Sequence, residues 1–237
     1  MGVKTVKAPN DLGSAYESCV RAFQQAVEDA NGDAILPARP VLNSFESTGA
    51  TTAEFRLSMW LKNWPHRKLG NKRLDIVIRA LERFQVPSWD LIQSTVYANY
   101  FIVSDAKAHL VQSLHYDFVA GGQTCHPLFH VQLTHELIDL EGIEVDIELK
   151  LQDDPSLCWV TTRIPTADMT LASVLYCLVA DHLSEGIFRE FEKRFLSIQD
   201  RLPRLSYGAL KDSVSKSGHF KSSHWFAHMA KPVAKEA

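Results

Sequence analysis

From Ile143 to Leu151 the chain alternates without a break: Ile143, Val145, Ile147, Leu149 and Leu151 stand on one side, Glu144, Asp146, Glu148 and Lys150 on the other. A period of two over nine residues suits a β-strand with one dry and one wet face, so the chain must build a sheet and cover one side of it. Similar alternation, rich in β-branched and aromatic residues, recurs from about residue 93. It predicts an antiparallel meander of five strands: Thr95 to Val103, His109 to Phe118, Leu128 to Glu136, Ile143 to Leu151 and Cys158 to Ile164.

The segment C-terminal to the meander is expected to supply the cover. Between Asp168 and Asp200, Leu171, Val174, Leu175, Leu178, Val179, Leu183, Ile187, Phe188, Phe191 and Phe195 repeat at helical spacing, which predicts one long helix on the dry face. Ahead of the meander the pattern reads as helical. Asp11 to Asn31 carries Tyr16, Val20, Phe23 and Val27 and ends at Asn31-Gly32. Glu54 to Trp64 and Asn71 to Gln85 read as two more helices, closed by Pro65 and Pro87. The fold class is therefore α+β, a meander of about five strands on a long C-terminal helix. Residues 1–92 are read as an N-terminal helical section and residues 93–203 as sheet plus helix in the same core. Residues 204–237 form a basic tail, mobile or docking, with one short helix around Ser223 to Ala230.

The 237 residues suffice for a substantial core without staples. Cys19, Cys125, Cys158 and Cys177 form no CxxC pair and have no apolar leader ahead of them, so they read as free thiols in a reducing, cytoplasmic compartment. No run reaches the roughly eighteen apolar residues of a membrane span, and no membrane partner is expected. The P-loop, dinucleotide, GxSxG and zinc-ribbon signatures are missing, which withdraws the usual support from those enzyme classes.

The chemistry-bearing residues gather in two places. In LHYDFVAGGQTCHPLFHVQ, residues 114–132, two strands flank Gly121-Gly122. Leu114, Tyr116 and Phe118 alternate with His115 and Asp117; Phe129, Val131 and Leu133 alternate with His130 and Gln132. A hairpin brings position 115 near 130 and puts both polar sets on one face. His115, Asp117 and His130, with His126 at the loop end, are then candidates for a divalent-metal site or a carboxylate-oriented general acid/base, as in a nuclease or other hydrolase. The competing reading is the wet face any such sheet presents. HYDF, the Gly turn, HPLFHVQ, an RIP at Arg163 to Pro165 and the long apolar helix resemble a pattern in uncharacterised bacterial proteins, some beside defence or toxin–antitoxin genes. The resemblance spans about Leu110 to Phe195. It implies a bacterial accessory protein and carries over no catalytic residue.

The second place is basic. Residues 62–83 hold seven Lys or Arg against two acids, residues 201–237 repeat that ratio, and residues 136–154 hold eight acids against one lysine. Trp60, Lys62, Trp64, Arg67, Lys68, Lys72 and Arg73 combine cations for phosphates with rings for bases, the ingredients of a nucleic-acid contact. Lys211, Lys216, Lys221, His219, His224 and His228 extend it into the tail. Trp60 and Trp64 also suit a core, and His224 and His228, although at i and i+4, lack the HExxH glutamate. Taken together, the residues favour an accessory or interaction protein that contacts a protein or nucleic acid and needs no cofactor. A metal-dependent hydrolase using the His/Asp cluster is the second reading.

Overall fold

A computed structural model describes residues 5–6, 10–36, 45–47, 51–65, 73–104, 107–119, 129–134, 148–151 and 170–203. The chain opens with strand β1 (Thr5–Val6) and helix α1 (Asn10–Asp29), followed by the short strands β2 (Asp33–Ile35) and β3 (Phe45–Ser47). Four long strands come next: β4 (Thr52–Trp64), β5 (Arg73–Gln85), β6 (Asp90–Ser104) and β7 (Lys107–Val119). Then come β8 (Phe129–Thr134), β9 (Glu148–Leu151), α2 (Leu171–His182), α3 (Glu185–Leu196) and a 3-10 turn at Gln199–Arg201. The strands form one sheet in the order β1-β3-β4-β5-β6-β7-β8, with β2 also on β4 and β9 also on β7. All pairings are antiparallel except β7 with β9, so the sheet is mixed at that edge. Among the described residues no helix is long and apolar enough to cross a membrane.

One face of this sheet carries the main core. Ala53, Phe55, Leu57, Met59 and Leu61 of β4 lie beside Leu74, Ile76, Ile78, Ala80 and Phe84 of β5, and all are buried. The three described helices cover them. α1 contributes Tyr16, Val20, Phe23 and Val27; α2 contributes Leu171, Val174, Leu175 and Leu178; α3 contributes Phe191. Tyr16 stacks on Phe55 at 4.1 Å between centroids, and Phe23 on Trp64 at 6.0 Å. Each such ring, once buried, stabilises the fold by roughly 1.5–3 kcal/mol. Helix α1 ends at the expected Asn31-Gly32: Asn31 takes a φ of 62°, and Gly32 donates back to the Val27 carbonyl at 2.9 Å. A Cβ on Gly32 would meet the Val27 side chain at 2.8 Å.

Polar atoms also tie this layer together. Glu82, fully buried, points from β5 into the helical side. Its carboxyl accepts from Tyr16 of α1, from Ser94 of β6 at 3.0 Å and from the Leu171 backbone N–H at 2.8 Å. One acceptor therefore fixes the sheet, α1 and the start of α2 relative to one another.

Three expectations are corrected. Residues 52–64 and 73–85 are strands, not helices, so α1 is the only helix described in the N-terminal section. The alternation Phe55, Leu57, Met59, Leu61 against Glu54, Arg56, Ser58 shows the reason: period two outweighs the good helix propensity of Glu, Arg, Leu and Met. The single long C-terminal helix is two helices. Leu183 and Ser184 are extended between them, and Ser184 starts α3. The antiparallel run begins well before residue 93, because β4 and β5 belong to it, and the division between 92 and 93 falls inside β6. The expected strands at Thr95 to Val103, His109 to Phe118 and Leu128 to Glu136 correspond to β6, β7 and β8; the last four residues of the fourth form β9, which pairs parallel with β7 instead of continuing the antiparallel meander. The strand at Cys158 to Ile164 and the tail lie outside the described residues.

Candidate functional site: a groove on the open sheet face

Opposite the helices, the register lines polar side chains up in rungs across β4 to β7. Ser58 pairs with Arg79, Arg79 with Tyr97, and Tyr97 with His115. The next rung runs Arg56, Leu81, Thr95, Asp117, and a third runs Glu54, Arg83, Gln93. Directly paired residues share a face, so three rungs of alternating strands concentrate these groups on one surface. Arg56, Ser58, Arg79, Gln93, Thr95, Tyr97, His115 and Asp117 line a groove of about 440 Å³, within the size range of small-ligand sites.

A hydrogen-bond chain holds the groove in shape. Glu54, 1% exposed, accepts from Arg83 and from Arg56, the latter at 2.8 Å. Arg83 also donates to Gln93 Oε1 at 3.1 Å, Gln93 Nε2 to Thr95 Oγ1 at 3.4 Å, and Thr95 Oγ1 to Asp117 Oδ1 at 2.7 Å. Burial pushes the Glu54 carboxyl up, but the bonds and charges of Arg83 and Arg56 outweigh it and hold the group below its ordinary range. The His115 ring lies flat on Tyr97, 4.3 Å between centroids and 8° between planes. Its Nε2 stands 4.0 Å from Asp117 Oδ1, ion-pairing distance for a protonated imidazole. Asp117 is thus oriented from one side by Thr95 and faces an imidazole on the other, an arrangement suited to binding a polar group or to moving a proton.

Of the four residues singled out in the histidine hairpin, the structure brings His115 and Asp117 into the groove. The register puts His130 opposite Asp117, while His115 faces Gln132, so positions 115 and 130 are near each other, two places apart in register. His126 lies outside the described residues. Among the described residues no three His, Cys, Asp or Glu gather closely enough to hold a metal ion; His115 and Asp117 supply two donors.

The basic segment is placed differently. Trp60 and Trp64 are both buried, on opposite faces of β4. The cause is a β-bulge: Leu61 pairs with Ile76 but Trp64 with Leu74, so three steps on β4 match two on β5 and the faces exchange. Asn63 takes the positive φ of 53° that the bulge needs. Asp75, fully buried, holds it, accepting from Asn63 N at 2.9 Å, Trp60 Nε1 at 3.2 Å and the Arg73 guanidinium at 2.6 and 2.8 Å. Lys62 rests over Trp60 at 4.4 Å from its centroid. Trp60, Trp64 and Arg73 are therefore engaged in the fold. Arg67, Lys68, Lys72 and the tail cations lie outside the described residues.

Sequence reasoning missed Arg56, Arg79 and Tyr97. Their signal was present, since each alternates with a buried apolar neighbour, but reading β4 and β5 as helices hid which face they share. Comparison with family models, with curated proteins and with solved structures gave no match.

Proposed function

We propose that this chain is a binding protein whose open sheet face takes a phosphate-bearing segment of single-stranded nucleic acid. The observation that carries the reading is the rung of Arg79, Tyr97 and His115, with Arg56 on the adjacent rung, in one groove. Guanidinium groups recognise phosphate oxygens, and an aromatic pair on a sheet surface offers a face for a base. As a bacterial accessory protein, the role its HYDF and HPLFHVQ strings imply, it would act on a partner rather than turn over a metabolite. Anisotropy of a short labelled RNA or DNA tests this. The wild type should retain it with a steep salt dependence, and Arg79→Ala should weaken it about tenfold, the ~1–2 kcal/mol of a lost charge-assisted contact. Lys62→Ala, at the cation already seated on Trp60, should change little. Equal retention by wild type and Arg79→Ala would sink the proposal.

A second reading is favoured by one specific contact, His115 facing Asp117 in the same groove. It is a hydrolase in which the imidazole moves a proton and Asp117 orients it, with a divalent metal if His130 or His126 adds ligands. The same incubation separates the two. Cleavage that needs added metal and disappears in both His115→Ala and Asp117→Asn makes the chain an enzyme. Retention without cleavage leaves it a binding protein.

A further inference from the structure

A second concave surface lies in the helical layer, on the other side of the sheet. Ser18, Arg21, Gln25 and Glu28 form one stripe along α1, at helical spacings of three and four. Arg194, Ser197, Ile198 and Arg201 form a matching stripe that runs from the last turn of α3 into the 3-10 turn. The two stripes face each other across a cleft of about 690 Å³, with buried Ile198 among its lining residues. Three guanidinium groups from three elements thus surround one space, against one lining carboxylate, Glu28.

The local structure accounts for part of this charge. Arg194 in the last turn of α3 complements the helix dipole, and Arg21 is held by Glu17 through Nε at 3.1 Å and Nη2 at 2.6 Å. That pair is open to solvent, Arg21 at 71% and Glu17 at 34%, so it weakens the charge of Arg21 without removing it. Neither effect explains Arg201. Among the described residues Arg194 and Arg201 form no salt bridge, while Glu190, an acid that feels the charge of Arg194, is committed to Lys193 at 2.6 Å. Like charges gathered round one cleft repel each other, and a multiply charged anion with oxygens on several sides relieves that repulsion in the fork geometry arginine prefers. A carboxylate partner supplies one charge per group; a phosphate chain supplies several within the span of such a cleft.

We propose that the cleft between α1 and α3, with Arg21, Arg194 and Arg201, is a binding site for a soluble oligophosphate such as the phosphate chain of a nucleotide, separate from the sheet-face groove. The test is calorimetric titration of the full chain with inorganic tripolyphosphate at constant ionic strength. Citrate serves as a trianion without phosphorus. Tripolyphosphate should bind, citrate should bind at least tenfold more weakly, and an Arg194→Gln/Arg201→Gln variant should lose at least tenfold in affinity. Arg189→Gln/Lys193→Gln, which removes two α3 cations that pair with Glu185 and Glu190 outside the cleft, should keep the affinity and so controls for the loss of charge. Circular dichroism of each variant confirms that it is folded. The proposal is overturned if tripolyphosphate does not bind, if citrate binds as tightly, or if the Arg194→Gln/Arg201→Gln variant keeps its affinity or loses no more than the Arg189→Gln/Lys193→Gln variant.

Discussion

Glu82→Ala removes an acceptor shared by α1, β6 and α2. Tyr16, Ser94 and the Leu171 N–H would each lose a bond to a buried carboxyl. Single bonds of this kind are worth roughly 1.5–3 kcal/mol when the acceptor is charged. The sum is an upper bound, because deleting the carboxyl also removes its desolvation cost, several kcal/mol for a buried ion. A net loss of about 2–4 kcal/mol results, larger than for Glu82→Gln, which keeps one acceptor oxygen. Because those values contain both effects, the sharper measurement is a double-mutant cycle with Tyr16→Phe by urea denaturation, monitored by tryptophan fluorescence and far-ultraviolet circular dichroism. Tyr16→Phe alone should cost about 1–2 kcal/mol and nearly nothing once Glu82 is alanine, a coupling of the same size. Additivity within about 0.5 kcal/mol would refute the claim that this contact joins α1 to the sheet.

Two other buried groups have measurable consequences. Glu54 has a lowered folded value, so its contribution is present above its unfolded value and is lost as pH falls through the lower folded one. The difference in urea midpoint between wild type and Glu54→Gln should therefore be largest near neutral pH and shrink below the ordinary value of 4.5; a gap that stays constant through that range would contradict the pairing with Arg83 and Arg56. Cys19 is pushed up to about 12 by burial and by the nearby Glu82 charge, so it should resist iodoacetamide at mildly alkaline pH in the folded chain. Half-buried Cys177 should label ahead of Cys19, as read by peptide mapping, and early labelling of Cys19 would mean that α1 opens readily.

How much was legible depended on whether a strand kept its two faces chemically distinct. β7 did: Leu114, Tyr116 and Phe118 face the core while His115 and Asp117 face the groove, and both the strand and the face those two share were readable. α1 was readable for the same reason at period 3.6, with an Asn-Gly stop to match. β5 mixed its faces. It places buried Glu82 on the dry side and Leu81 on the open side, and its first half has apolar residues on both, since Val77 packs with Trp60 and Phe101 in a second cluster. Leu74, Val77, Ile78 and Leu81 then fall at spacings of three, one and three, which imitate a helix.

The bulge in β4 hid the rest. Four residues apart in an unbroken strand, Trp60 and Trp64 would share a face; the extra residue at Lys62–Asn63 sends them to opposite cores. No period in the sequence announces that exchange. The physical cue is the combination of Asn63, which tolerates a positive φ, with Asp75 placed to collect the donors around the bulge. Trp60, Lys62, Trp64 and Arg73 of that segment stand at a braced irregularity in a sheet. The cations that line the groove, Arg56 and Arg79, came from positions whose alternation looked unremarkable, and only the pairing of β4, β5, β6 and β7 brings them beside Tyr97 and His115.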